Sequence, residues 1–148
     1  MAEIFVPASS FETFRGVVFP WFCDNMGHMA TQHYMGLYDH ALLQVMGKMG
    51  PLVGQEGDTR LGWADISHDI RYLHELFAGD LVAVRSVFLR FGRSSVTYRN
   101  FMIRCSDGLV CSTLEAVTVR LDLTRRKAYP IDDSHIEAAR PFMAEPED

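Results

Sequence analysis

Cysteine is scarce: Cys23, Cys105 and Cys111 are the three in 148 residues. They are odd in number and lack C-x-x-C spacing, which argues against a disulfide framework or a cysteine-built zinc site and suits a reducing compartment. Long apolar runs are missing as well, since none approaches the ~20 residues of a membrane-spanning helix. The first residues, Met1 to Pro7, contain neither a basic n-region nor an apolar h-region, so no secretory signal and a cytoplasmic location are expected. Compositional bias is absent too. Hydrophobic residues make up 48% and charged residues 22%, close to globular averages, which disfavours disorder and repeats. The length suits one domain, residues 1–148, and is short for two.

The net charge of −5 is unevenly distributed. Residues 1–84 carry four basic and ten acidic side chains, residues 85–127 nine and three, and residues 128–148 one and six. An acidic chain with one basic island fits a phosphorylated small ligand better than a nucleic-acid track, which calls for a basic domain overall. Arginines lining a solvated sheet face would give the same pattern.

Read for periodicity, the chain predicts a strand over Thr13 to Phe19 ending at Pro20, then a helix over roughly 31–49. In that helix Tyr34, Leu37, Tyr38, Ala41, Leu42, Val45, Met46 and Met49 share one face, and Gly50-Pro51 stops it. Gly36 within it is explained if a sheet approaches closely. Residues 51–62 read as a connection. Trp63 to Leu73 is a strand whose imperfect alternation points to a bulge. Three β-rich runs follow, Leu81 to Phe91, Ser95 to Cys105 and Leu109 to Leu123, separated by Gly92-Arg93-Ser94 and Ser106-Asp107-Gly108, so antiparallel hairpins and a meander are expected. Asp132 to Arg140 predicts a short terminal helix. This order gives an α+β domain with one antiparallel sheet covering the long helix.

The stretch that organises the rest is Pro20 to Leu42, a glycine-containing polar loop running into that helix. Asp24 lies just ahead of the helix start, where Thr31 or a preceding residue is positioned to cap and where backbone N–H groups are unpaired. A carboxylate next to such a terminus is a catalytic arrangement. The plainer alternative makes Asp24 and Asn25 turn formers, Gly27 the positive-φ residue and His28 a structural loop histidine.

Asp24-Asn25-Met26-Gly27-His28, with Tyr34 and Asp39 further on, resembles the signature of hotdog-fold acyl-CoA thioesterases of the 4-hydroxybenzoyl-CoA thioesterase type. Asp24, Gly27, His28, Tyr34 and Asp39 match in identity and spacing, whereas Ala30 and Thr31 replace two asparagines of the family pattern. Weaker echoes are Gly79-Asp80 and Phe91-Gly92-Arg93-Ser94-Ser95. The resemblance implies a hotdog fold, in which the sheet wraps around the central helix, a homodimer or tetramer, and an acyl-CoA substrate held between subunits. It also implies that Asp24 is the catalytic carboxylate, as nucleophile or general base.

The oxyanion donor is then expected among the backbone N–H groups from Gly27 to Thr31, with Thr31 the best single choice. His28 either contacts substrate or holds the loop, and Tyr34 and Asp39 are secondary candidates through their place in the pattern. Arg93, Ser94 and Ser95 are the expected clamp for the CoA phosphates, helped by Arg125, Arg126 and Lys127, because a guanidinium forms paired hydrogen bonds with phosphate. His28, His33 and His40 lack the i, i+4 pair of a zinc helix, so no metal is expected. No cofactor is expected either, coenzyme A being part of the substrate, and neither nucleic acid nor membrane is an expected partner. The segment Pro20 to Met29 is more similar to thioesterase domains of carnitine breakdown, which act on betainyl-CoA, and Trp21, Phe22 and Trp63 would offer aromatic faces to a quaternary ammonium. Two other classes remain open: a non-catalytic acyl-CoA-binding or regulatory hotdog protein, against which Asp24 speaks, and a hotdog hydratase or dehydratase, whose histidine- and proline-containing signatures are absent.

Overall fold

The computed structural model describes residues 3–146. Its elements are β1 (Phe11–Val17), α1 (Thr31–Met49), β2 (Gly54–Glu56), β3 (Thr59–Tyr72), β4 (Leu81–Phe91), β5 (Ser95–Arg104), β6 (Leu109–Asp122), β7 (Lys127–Ala128) and α2 (Asp133–Ala139). One antiparallel sheet runs β1-β4-β5-β6-β3-β2, with β7 added to β6. It curls around α1 in the hotdog arrangement.

The residues that predicted α1 are those it buries: Tyr34, Leu37, Tyr38, Ala41, Leu42, Val45, Met46 and Met49. They meet the inner sheet face at Val82, Val84, Phe88, Val96, Tyr98, Met102, Leu114 and Ala116 in one core cluster. Each large side chain so buried contributes about 1.5–3 kcal/mol. The helix ends at Gly50, whose φ of 152° is costly for residues with a Cβ, and Pro51 follows. The outer face is covered over a smaller patch, where Val87, Phe101 and Val110 pack with Val6, Leu73, Leu89, Ile103 and Ala144.

Several boundaries differ from the sequence expectation. The first strand is Phe11–Val17 rather than residues 13–19. The connection at 51–62 contains β2 and the start of β3, which forms a hairpin pairing Gly54 with Leu61. The expected irregularity in β3 is present as a register shift between Asp65 and Ser67 against β6. Gly36 is exposed, and an added Cβ there would meet nothing within 4 Å, so close sheet approach does not explain it. β4, β5 and β6 form the predicted meander, but β3 pairs with β6 and β1 with β4, so the strands flanking the meander come from earlier in the chain.

Buried polar groups fix how helix and sheet meet. Tyr38 is fully buried, and its hydroxyl donates to Ser112 Oγ at 2.9 Å while that hydroxyl donates to the Arg71 carbonyl at 2.7 Å. Tyr38→Phe removes the first bond but leaves Ser112 a partner, so chemical denaturation should register a loss of about 1 kcal/mol. An unchanged midpoint would show that this contact is energetically silent.

Candidate active site

The segment between β1 and α1 begins with a short 3-10 turn, Pro20–Phe22, and closes through backbone hydrogen bonds. Cys23 and Met29 form an antiparallel bridge. The Asp24 N–H donates to the His28 carbonyl at 3.0 Å, the Gly27 N–H to the Asp24 carbonyl at 3.1 Å, and the Ala30 N–H to the Phe22 carbonyl at 2.9 Å. Gly27 has φ 88°, the left-handed conformation that this tight tip requires. Met29, 1% exposed, anchors the base, and its N–H donates to the Leu76 carbonyl at 2.7 Å.

Asp24 is half-buried, and its Oδ1 accepts the Met26 N–H at 2.9 Å, so the turn-forming reading holds for this oxygen. Oδ2 has no partner among the described residues. The N-cap is Ala30, with extended φ and ψ and no side-chain cap, and Thr31 is the first helical residue. This corrects the expectation of a capped terminus, because alanine has no acceptor to offer. Among the described residues the Thr31 and Gln32 amides therefore have no hydrogen-bond partner, and they carry the positive end of the helix dipole. A carboxylate with one uncommitted oxygen thus precedes a helix start with uncommitted donors, a pairing suited to attack on a carbonyl and stabilisation of the resulting oxyanion.

His28 is half-buried, with Nδ1 3.4 Å from the Met29 carbonyl oxygen and Nε2 3.9 Å from Glu75 Oε1. Glu75 was not foreseen, since only tertiary pairing of the 73–76 segment with the loop brings it there. Tyr34 is a core residue, 4% exposed, meeting the Tyr72 ring edge to face at 5.0 Å; burial pushes its phenol up to about 12. It is therefore a neutral hydroxyl at ordinary pH. Beside the loop, Trp21 is 70% exposed and stacks on Phe19 with centroids 4.5 Å apart, while Phe22 stacks on His33 at 4.7 Å.

The other sequence candidates are placed elsewhere in the chain. Asp39 is exposed on α1. It and Asp65 both act electrostatically on Tyr98, whose phenol is raised chiefly by burial and also by these carboxylates. Asp65 Oδ1 accepts Thr118 Oγ1 at 2.8 Å, and His68 Nε2 lies 3.9 Å from Asp65 Oδ2. Trp63 packs against His135 of α2, near the C-terminal end of α1. Arg93 and Ser94 lie in the β4–β5 turn at that same end and Ser95 opens β5; the Ser94 carbonyl accepts the Arg120 N–H at 2.7 Å and the Arg93 carbonyl the Ile131 N–H at 2.9 Å. Arg93 is exposed, as are Arg125, Arg126 and Lys127. Because β3 passes Trp63 at one end of α1 and Tyr72 at the other, the chain does not bring Trp21 to Trp63 or Asp24 to the Arg93 turn.

Among the described residues no group of three or more His, Cys, Asp or Glu side chains is placed to hold a metal ion, and no helix is long and apolar enough to cross a membrane. The three cysteines are free, Cys23 half-buried.

A family model described as the thioesterase-like superfamily matches residues 17–139. No curated protein sequence matches the chain. Among solved structures, a hypothetical protein of Staphylococcus aureus in complex with CoA is 16% identical with TM-score 0.81, over 99% of this chain and 92% of that one. The Dynemicin thioesterase is 15% identical with TM-score 0.77, over 93% and 99%. A 1,4-dihydroxy-2-naphthoyl-CoA thioesterase from Synechocystis is 12% identical with TM-score 0.73, over 88% and 96%. At such identities these likenesses establish a shared fold.

Proposed function

This chain belongs to the thioesterase-like superfamily, and on that premise we propose that it hydrolyses an acyl-CoA thioester to the free acid and CoA. The observation that carries the reading is the uncommitted Asp24 oxygen in the loop that feeds the unpaired amides of α1. Asp24 either attacks the thioester carbonyl, expelling the CoA thiolate and leaving a mixed anhydride that water then hydrolyses, or takes the proton of an attacking water whose addition expels the same thiolate. In both routes the Thr31 amide, with its neighbour, receives the oxyanion. His28 and Gly27 hold the loop tip.

The working unit is a homodimer. β2 covers β3 only as far as Leu61, so from Gly62 to Tyr72 one edge of β3 is unpaired among the described residues, and Ile66 and Tyr72 on it are 63% and 48% exposed. An open edge of that length calls for a partner strand. Antiparallel pairing of two β3 strands about a twofold axis sets the Tyr72 end of one protomer, where Asp24 sits, against the Trp63 end of its partner. The CoA phosphates then reach the Arg93, Ser94 and Ser95 turn of the partner subunit. Arg93→Ala should raise KM with little change in kcat, and the effect should shrink for a thioester that lacks the nucleotide. An equal loss on the truncated thioester would assign Arg93 a structural role.

The acyl group in this reading is small and cationic, as in betainyl-CoA. Support comes from the exposed Trp21 face beside the Asp24 loop, an aromatic surface that suits a quaternary ammonium. Comparison of kcat/KM for betainyl-CoA with acetyl-, benzoyl- and long-chain acyl-CoA tests it. A preference for an uncharged aryl or long-chain group would discard the cationic pocket and leave thioester hydrolysis standing.

A further inference from the structure

The Asp24 loop is tied at both ends to one short segment, residues 73–80, that follows β3. The Val18 N–H donates to the Asp80 carbonyl at 2.9 Å and the Gly79 N–H to the Val18 carbonyl at 2.8 Å, which fixes the chain where it leaves β1. Past the loop tip the Met29 N–H donates to the Leu76 carbonyl at 2.7 Å, and both residues are buried, at 1% and 0% exposure. The segment is itself closed, since the Phe77 N–H donates to Asp80 Oδ2 at 2.8 Å. Entry and exit of the loop thus rest on main-chain bonds, which nearly any residue supplies. The tip, Asp24 to His28, lies between them.

Glu75 is where this segment reaches the tip with a side chain. His28 Nε2 lies 3.9 Å from Glu75 Oε1, and His28 Nδ1 lies 3.4 Å from the Met29 carbonyl oxygen. Carboxylate and carbonyl are both acceptors, so the ring meets the two favourably only with a proton on each nitrogen, and Glu75 is the counter-ion of that form. At 3.9 Å the contact is ionic and not a hydrogen bond. What the ring steadies is its own backbone, because the His28 carbonyl accepts the Asp24 N–H at 3.0 Å. The placement of the His28 ring and that of Asp24 are thereby linked.

We propose that Glu75 is a positioning residue for the reaction: by holding the His28 imidazolium it fixes the carbonyl to which the Asp24 amide is bonded, and so aims the uncommitted Asp24 oxygen at the substrate. Its kinetic consequence rests on the thioesterase reading, and its structural consequence on the loop alone. The Glu75 side chain is 62% exposed and that of His28 24%, a setting in which an ion pair adds little to global stability. A small displacement of a reacting group, by contrast, costs a large factor in rate. The contact is therefore read in kcat and not in Tm.

Glu75→Gln, which keeps the size and removes the charge, and Glu75→Ala should both fold with Tm near the wild-type value. Both should lower kcat and kcat/KM together by about tenfold, with KM unchanged. In a His28→Gln background the same substitutions should add nothing further, because Glu75 acts through His28 and the pair is non-additive. Amide exchange followed by NMR reads the placement without turnover. The Asp24 N–H should exchange about tenfold faster in Glu75→Ala, while the Met29 N–H, bonded to Leu76, keeps its protection. Unchanged Asp24 exchange in Glu75→Ala would overturn the proposal whether or not the protein hydrolyses any acyl-CoA. So would full kcat in Glu75→Gln, a rise in KM in place of the kcat loss, a fall in Tm that accompanies it, or an equal loss with and without His28. Absence of turnover by the wild type would overturn the thioesterase reading and the kinetic role together, and the exchange measurement tells that failure from loss of the contact itself.

Discussion

Asp24→Asn is expected to fold as the wild type does and to lower kcat by about 10²-fold or more, the scale of losing a positioned base or nucleophile. The folding half follows from the loop. Its closure rests on backbone bonds among Phe22, Asp24, Gly27, His28 and Ala30, and the asparagine side-chain oxygen can still accept the Met26 N–H that Asp24 Oδ1 accepts now. The kinetic half follows from what asparagine lacks, which is a negative oxygen for the helix terminus and a proton acceptor of useful basicity. Stopped assays of thiol release, with circular dichroism and Tm as controls, separate the two. Near wild-type kcat in a folded variant would remove Asp24 from the chemistry and leave it a turn former.

Ile66→Asp tests the assembly with an effect of similar size. Ile66 is 63% exposed at the β3 irregularity, so the aspartate costs the isolated protomer little. With the β3 edge paired to its own copy, as proposed above, the substitution would set two like charges close together across the axis and break the pairing. Sedimentation should show a monomer, and kcat/KM should fall by about 10²-fold or more, because the Asp24 loop loses the partner's phosphate-binding turn, and activity that depends on holding substrate at the nucleophile goes with it. A dimeric Ile66→Asp, or a monomer with full activity, would contradict a site built from two protomers.

How much of this was legible in the sequence depended on local periodicity. α1 was readable because eight buried positions repeat at helical spacing over about four turns and Gly50-Pro51 ends them. β4, β5 and β6 were readable because Gly92, Gly108 and their polar neighbours mark short turns between long runs. β2 and β7 were not, since strands of three and two residues carry no period and exist through pairing with β3 and β6. Strand order was hidden for the same reason: that β3 lies beside β6 and β1 beside β4 is a tertiary choice.

At the site, the loop and helix start were legible as a unit, but the Asx turn at Asp24, the uncapped Ala30 and the contact between His28 and Glu75 needed coordinates. Trp63 and the Arg93 turn were read toward the same site as Asp24, whereas one protomer holds them at the opposite end of α1. Arg120 was passed over among strand-borne arginines. A signal for it existed, because along β6 Leu114, Ala116, Thr118, Arg120 and Asp122 are the buried alternate positions, so the period of two alone set Arg120 facing inward.

Thiol release from a panel of acyl-CoAs by the purified wild-type protein, run beside Asp24→Asn, decides between an enzyme and a binding protein. Steady turnover of at least one acyl-CoA, lost in the variant, is the predicted result. Release no faster than the uncatalysed rate for every acyl-CoA, while the same compounds still bind, would contradict hydrolysis and leave a protein that holds acyl-CoA without cleaving it.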